Sequence, residues 1–269
     1  MLKKSKTIVL THAERDAMRH AGRMNARLMD FLRPQIVAGT TTGTIDDLVV
    51  QWTHQHGYRA ATLGYQQNYP KSCCTSVNDV ICHGIPGKYV LRDGDIINID
   101  ITTIVDGWFG DQSETFLIGN VSEEALAVTQ AAFDCLYLAI GALTPGCPVS
   151  KIGETIVPEA QKRGFSVVRE YVGHGLGRAF HQDPSIPHFP NRQSRVDRLL
   201  PGVAFTVEPM INAGTRYTRL DKSDGWTVRT KDGKPSAQFE HTVLMTEEGP
   251  EILTPTKNGP GEGHVFANA

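Results

Sequence analysis

No stretch of this chain approaches the roughly 20 consecutive apolar residues that a membrane-spanning helix needs, so no such helix is expected. The basic start, with Lys3, Lys4 and Lys6, leads into an apolar run of Ile8 to Leu10 only, too short for the core of a secretory signal. Cysteine is sparse and odd in number, five in 269 residues, which does not suit a disulfide framework and points to a reducing, cytoplasmic setting. Neither sign of charge dominates: 27 Lys and Arg against 29 Asp and Glu leave a formal charge of -2. A field that weak gathers neither nucleic acid nor an anionic membrane, so neither is expected as a partner.

What the chain does have is apolar matter for a sizeable core, 40% of its residues, in one domain or two fused halves. Thr11 and Glu14 stand at capping-box spacing, and Met18, Ala21, Met24, Leu28 and Phe31 follow at helical spacing until Pro34. After a Gly/Thr loop, Ile45, Leu48, Val49 and Trp52 predict a short second helix that Gly57 stops. From about 61 to 118 the pattern turns to β-rich runs broken by Pro86-Gly87 and Asp106-Gly107. Then the order restarts. Ser122 opens a long apolar-periodic segment to Leu143, Ser150 to Arg163 reads as a short helix ended by Gly164, and β-like runs return.

The restart has a fixed offset. Gly39, Ile45, Val50 and Gly57 recur as Gly146, Ile152, Val157 and Gly164, each 107 residues on, and Gly94 stands six before Asp100 as Gly202 stands six before Glu208. These matches predict an internal duplication. Two α+β halves, about 11–120 and 121–254, are expected around a pseudo-twofold with sheets facing a shared centre and helices outside. Residues 1–255 would form one domain, and the Pro- and Gly-rich tail 256–269 would be mobile or draped on the surface.

Asp106-Gly107 is the dipeptide of a two-residue type I′ hairpin, which pairs Val105 with Trp108 and Thr102 with Asp111. Alternation then puts Asp100 and Asp111 on one face as diagonal neighbours, Cβ atoms roughly 7 Å apart. Two buried carboxylates that close resist ionisation unless a cation joins them. Either one of them turns to solvent or pairs with an arginine, or a metal holds both; two on one face favour the metal. Glu208 and Glu240 lie in strand-like apolar runs, 203–210 and 237–244, and His174 sits among glycines that let its backbone approach a centre closely. Four carboxylates and one imidazole could hold two divalent ions near neutrality, and oxygen ligands with one nitrogen suit Mn, Fe, Co or Zn rather than a thiolate site. Competing readings are weaker. Gly173-His174-Gly175-Leu176-Gly177 lacks dinucleotide-binding spacing, Cys82 and His83 as strand neighbours point apart, and Cys73-Cys74 reads as core or pocket lining.

Taken in order across about residues 11 to 254, Asn78-Asp79-Val80-Ile81-Cys82-His83-Gly84-Ile85-Pro86, the Asp100/Asp111 hairpin, the run from Gly173 to His181, Thr206-Val207-Glu208-Pro209 and Gln238-Phe239-Glu240-His241 resemble type I methionine aminopeptidases, in a short form without their zinc-finger extension. The resemblance implies an α/β (α+β) duplicated "pita-bread" fold. It implies metal ligands Asp100, Asp111, His174, Glu208 and Glu240 around two divalent ions, Co, Mn, Fe or Zn. By the same similarity Glu208 shuttles a proton, His83 meets the scissile amide nitrogen, and His181 meets the carbonyl oxygen. Tyr65, Tyr69, Cys74, Phe180 and Trp226 map to the methionine pocket, where aromatic faces and a thiol suit a thioether. One departure stands out: Gly64-Tyr65-Gln66-Gln67-Asn68-Tyr69-Pro70 is one residue longer than the usual Gly-Tyr-x-Gly-Tyr-Pro. The implied activity is removal of the initiator methionine from nascent chains when the next residue is small, in the cytoplasm, by a monomer, with the ribosome as a partner. The rivals are a proline-directed peptidase of the same fold, which usually carries a further N-terminal domain, and an inactive binding protein on this scaffold.

Overall fold

The computed structural model describes residues 6–268; the start Met1–Ser5, with Lys3 and Lys4, and the last residue Ala269 lie outside the described residues. The first half runs α1 (His12–Leu32), α2 (Thr42–Gln55), β1 (Arg59–Ala60), β2 (Cys74–Val77), β3 (Val80–Cys82), β4 (Ile96–Val105) and β5 (Trp108–Leu117). The second runs α3 (Glu123–Gly141), α4 (Ser150–Lys162), β6 (Ser166–Val167), β7 (Gly173–Gly175), β8 (Gln182–Ile186), β9 (Ala204–Val207), β10 (Met210–Asn212), β11 (Thr218–Leu220), β12 (Val228–Thr230), β13 (Ser236–Gln238), β14 (Glu240–Met245) and β15 (Pro250–Ile252).

The helices start where their caps place them. Thr11 Oγ1 accepts the Glu14 N–H at 3.4 Å while Glu14 Oε2 accepts the Thr11 N–H at 2.9 Å, so two donors with no partner inside the helix are satisfied. Ser122 Oγ accepts the Ala125 N–H at the start of α3. Met18, Ala21, Leu28, Met29 and Leu32 are buried along α1, whereas Phe31, counted in the sequence stripe, is exposed. Leu28 and Leu32, four apart, hold the centre of the stripe, and Phe31 falls past its edge.

Strands β1, β4, β5, β14, β9, β7 and β8 lie side by side in that order, with β2 joined to β4 and β15 to β14, as one nine-stranded sheet. The β5–β14 pairing is the seam between the halves. Two small sheets, β13-β10-β6 and β11-β12-β3, flank it. Ile97, Ile99 and Ile101 of β4 pack with Leu28, Leu32, Ile45 and Trp52 of α1 and α2. Phe205, Val207, Val243 and Met245 of β9 and β14 pack with Val128, Phe133, Leu136, Ile152 and Ile156 of α3 and α4. Each such side chain stabilises the fold by roughly 1.5–3 kcal/mol. Both helix pairs therefore cover one face of the sheet, and the alternate residues Asp100, Thr102, Thr206 and Thr242 share the other.

The duplication extends to backbone conformation. Gly39 and Gly146 have φ of 92° and 78°, Gly57 and Gly164 71° and 82°, and Gly94 and Gly202 both 93°. Each matched pair sits in the region that L side chains avoid, so the sequence repeat marks equivalent turns. Beyond β15 the chain drapes over the helices. Asp30 accepts the Lys257 and Asn258 N–H groups at 2.8 and 3.0 Å, Phe266 packs edge-on against Phe133 at 5.3 Å, and Asn268 pairs with both backbone groups of Val121.

Candidate metal centre

Asp106 and Gly107 take φ of 51° and 82°, the left-handed pair that a type I′ turn requires. The turn sets the register expected from it: Val105 opposite Trp108, Thr102 opposite Asp111 and Asp100 opposite Ser113. Glu208 and Glu240, by contrast, do not lie in mid-strand as their apolar runs imply. Each run breaks at the carboxylate: β9 ends at Val207 and β10 begins at Met210, while β13 ends at Gln238 and β14 begins at Glu240. Pro209 has no N–H with which to continue a ladder. The chain changes sheets there, β9 pairing with β14 and β10 with β13.

Pairing across the seam lines the acids up. Ser113 lies opposite both Asp100 and Glu240, so these three form one row on the inner face. In the next row Thr242 lies opposite Thr206 and takes the Asp111 N–H at 3.1 Å while its own hydroxyl donates to the Asp111 carbonyl at 2.7 Å. His174 joins that row through its N–H, donated to Thr206 Oγ1 at 3.0 Å. Donor atoms of Asp111, His174 and Glu240 come within 4.8 Å of one another, and all three residues are buried.

The donor set fits divalent cations. His174 Nδ1 lies 3.1 Å from the Gly175 carbonyl, which can only accept, so the proton is on Nδ1 and Nε2 offers its lone pair. Burial drives the ring down to about 3, so it is neutral. Nε2 faces Asp111 Oδ2 at 3.6 Å and Glu208 Oε1 at 3.7 Å, gaps that no hydrogen bond spans. Burial pushes Asp100 up to about 7 and Glu208 up to about 8, and lifts Asp111 and Glu240 well above the carboxylate range. Four carboxylates that resist ionisation together with an inward-facing imidazole lone pair make a site that a concentrated positive charge would satisfy.

Several residues that hold this set were given no role from the sequence. Thr206 Oγ1 donates to Glu208 Oε1 at 2.7 Å and Gln238 Nε2 donates to Oε2 at 3.2 Å, while His188 Nε2 accepts the Glu208 N–H at 3.0 Å. Thr102 Oγ1 donates to Asp111 Oδ1 at 2.7 Å. Both threonines stand two residues from a ligand candidate, hence on its face; that spacing was a usable signal. His188 carried none, because its partner is brought to it only by the fold.

A cavity of about 320 Å³ opens onto the acids and takes in every residue the sequence singled out: Asp100, Asp111, His174, Glu208 and Glu240 with His83, His181, Tyr65, Tyr69, Cys74, Phe180 and Trp226. His83 follows β3 in a left-handed conformation, φ 58°, and burial lowers its ring to about 4. Its ring stands edge-on to Tyr171 at 5.3 Å. Tyr69 donates to the Cys73 and Gly84 carbonyls and meets Trp226 edge-on at 5.2 Å. Trp226 is set by Asp224, whose Oδ1 accepts its backbone N–H at 2.8 Å. Within the 64–70 loop Gln66 takes φ 47° and ψ 31°, and Tyr65 and Tyr69 both lie on the cavity wall. Cys73 is core and Cys74 lines the cavity. At the exposed mouth Tyr65 Oη lies 2.9 Å from His181 Nδ1.

Buried carboxylates with one imidazole beside a closed aromatic slot are what a metal-dependent peptidase of this duplicated fold requires. Residues 16–247 match metallopeptidase family M24, and the chain belongs to that family. It is 49% identical over 247 residues to methionine aminopeptidase A of Synechocystis sp., covering 91% of this chain and 96% of that protein. It is 44% identical over 256 residues to the methionine aminopeptidase of Escherichia coli K12, covering 93% and 94%. The crystal structure of methionine aminopeptidase from Rickettsia prowazekii superposes with a TM-score of 0.89 at 42% identity, covering 93% of this chain and all of that one. The pita-bread architecture read from the sequence is the one observed.

Proposed function

We infer that this protein is a methionine aminopeptidase that removes the N-terminal methionine of polypeptides, preferentially when the second residue is small. The observation that carries the reading is the union, in one cavity, of the acid-and-imidazole centre with a slot walled by Tyr65, Tyr69, Cys74, Phe180 and Trp226. Asp100, Asp111, His174, Glu208 and Glu240 would hold two divalent ions, Co, Mn, Fe or Zn. Bound there, the ions supply Lewis-acid polarisation of the scissile carbonyl and acidify the attacking water.

The chain's own residues do the rest. Glu208, oriented by Thr206 on one oxygen and Gln238 on the other, takes the proton of the attacking water and returns it to the leaving nitrogen. His83, neutral through burial, faces that nitrogen, and His181 at the mouth offers a donor to the carbonyl oxygen as negative charge develops. The slot excludes water and fixes the methionine side chain, so that the carbonyl arrives in attack geometry. The compartment is the cytoplasm, the working unit a monomer, and the substrate a nascent chain met at the ribosome; the five unpaired thiols are consistent with a reducing compartment.

The test is kcat/KM of the metal-loaded enzyme on peptides led by Met-Ala, Leu-Ala, Pro-Ala and Met-Lys. Met-Ala should exceed Leu-Ala by about 10- to 200-fold, the scale for one branch in an apolar pocket, and Met-Lys should fail although its first residue fits. Equal rates for methionine and leucine would remove the slot assignment, and a preference for X-Pro peptides would make the protein a proline-directed peptidase.

A further inference from the structure

Tyr65 stands among the aromatic residues of the slot, yet its hydroxyl is turned to a histidine. Oη lies 2.9 Å from Nδ1 of His181, and the two rings are 5.1 Å apart. The backbone around it is closed. The Gly64 N–H binds the Tyr69 carbonyl at 2.8 Å, the Tyr65 N–H binds the Thr62 carbonyl at 2.9 Å, and the Tyr65 carbonyl takes the N–H groups of Asn68 and Tyr69. Left-handed Gly64 and Gln66 flank it, so the longer loop presents Tyr65 from a hydrogen-bonded frame. His181 is held from its other sides by Phe180 at 4.2 Å and His174 at 4.0 Å between ring centroids.

We propose that Tyr65 is a positioning residue: its hydroxyl donates to His181 Nδ1, which fixes the ring's orientation and leaves the proton on Nε2 for the substrate carbonyl. The inference rests on the role given to His181 above. A phenol hydroxyl can donate to a bare ring nitrogen or accept from a ring N–H; here Tyr65 is taken as the donor and Nδ1 as bare. The opposite nitrogen must then be the N–H, and a hydrogen-bonded second partner sets which nitrogen does the chemistry. Without that partner the ring can rotate, and an ill-aimed donor stabilises a developing oxyanion poorly. The aromatic face of Tyr65 meanwhile contacts Phe180 at 5.1 Å and Trp226 at 6.5 Å, so the residue serves slot and histidine by different atoms.

Tyr65→Phe separates the two, since it keeps the ring and removes the hydroxyl. With Met-Ala peptides kcat should fall about three- to tenfold, the scale of one side-chain hydrogen bond, with KM changed less than about twofold. A readout independent of turnover is the 15N signature of the His181 ring in the metal-free protein. The wild type should show a bare Nδ1 and a protonated Nε2, and Tyr65→Phe a mixture of tautomers. An unchanged kcat and ring spectrum in Tyr65→Phe, with His181→Ala still crippled, would overturn this inference alone. Full activity of His181→Ala would overturn the reading of His181 and this inference with it.

Discussion

The two halves repeat each other in glycines, helices and strands but deliver their acids in opposite ways. In the first half Asp100 and Asp111 share a single hairpin whose register is set by two turn residues. In the second, the corresponding stretch is opened. Between Glu208 and Glu240 the chain leaves the main sheet and builds β10 to β13 before returning, and His174 comes from yet another strand. The first half thus places its ligand candidates by local geometry, and the second by long-range pairing supported by Thr206, Gln238 and His188. The opening also houses chemistry that the first half lacks, because Trp226, a wall of the slot, sits inside it. The two halves share one frame, and the departure from it in the second half brings Trp226 to the cavity wall.

The sharpest way to break this comparison is to remove one acid from each half. Asp100→Asn and Glu240→Gln should each abolish turnover, a loss of about three orders of magnitude or more, by loss of metal, since an amide forfeits a charge that offsets the cations. Metal content and activity are measured on one preparation. A variant that keeps two ions and normal turnover would show that its half contributes no ligand there. Next in size come the histidines, one from each half. His83→Ala and His181→Ala should retain metal but lower kcat by about two orders of magnitude, the scale of a proton-transfer or oxyanion contact; a parallel loss of metal would make them ligands instead.

A smaller effect joins the halves through pH. Without metal, Asp100 and Glu208 hold protons up to about 7 and about 8, against ordinary values of 3.8 and 4.5. These two carboxyls make stability fall as pH rises, but His83, His174, His181, His188 and His241, held at about 3 to 4 by burial, oppose them below the ordinary imidazole value of 6.5, so the fall belongs to the window above about 6.5. The thermal midpoint in chelator should be lower at about pH 8.5 than at about pH 7, and metal should remove or reverse the difference because it needs the ionised forms. A midpoint in chelator that rises with pH would show that these acids are not protonated in the folded chain. The smallest effect isolates the local device. Gly107→Ala, forced to a φ of 82°, should cost about 1–2 kcal/mol in a urea titration with kcat unchanged, because β4 and β5 carry enough pairing to keep their register.

The same contrast explains what the sequence disclosed. Asp106-Gly107 and the alternation around it were enough to place Asp100 and Asp111 on one face, because every constraint lay within a few residues. The convergence of His174, Glu208 and Glu240 on the same cavity was legible only through the order of motifs. Their strand assignments were partly wrong, because an apolar run does not reveal that it changes sheets at Pro209 or Phe239. Phe31 was misplaced by a stripe one residue too wide. His188 was silent and Gln238 stood in a motif without a role, for a buried imidazole or amide declares its role only by the partner that folding brings to it.

The seam between β5 and β14 has one more consequence. A slip of a single residue there would turn Glu240 away and bring His241 to the inner face, and a molecule with only its first half assembled would present Asp100 and Asp111 without Glu208, Glu240 or His174. The proposed five-residue ligand set is therefore complete only in a chain whose halves have joined in the right frame. On the proposed ligand set, uptake of the ions would report that a newly made molecule has joined its halves in register.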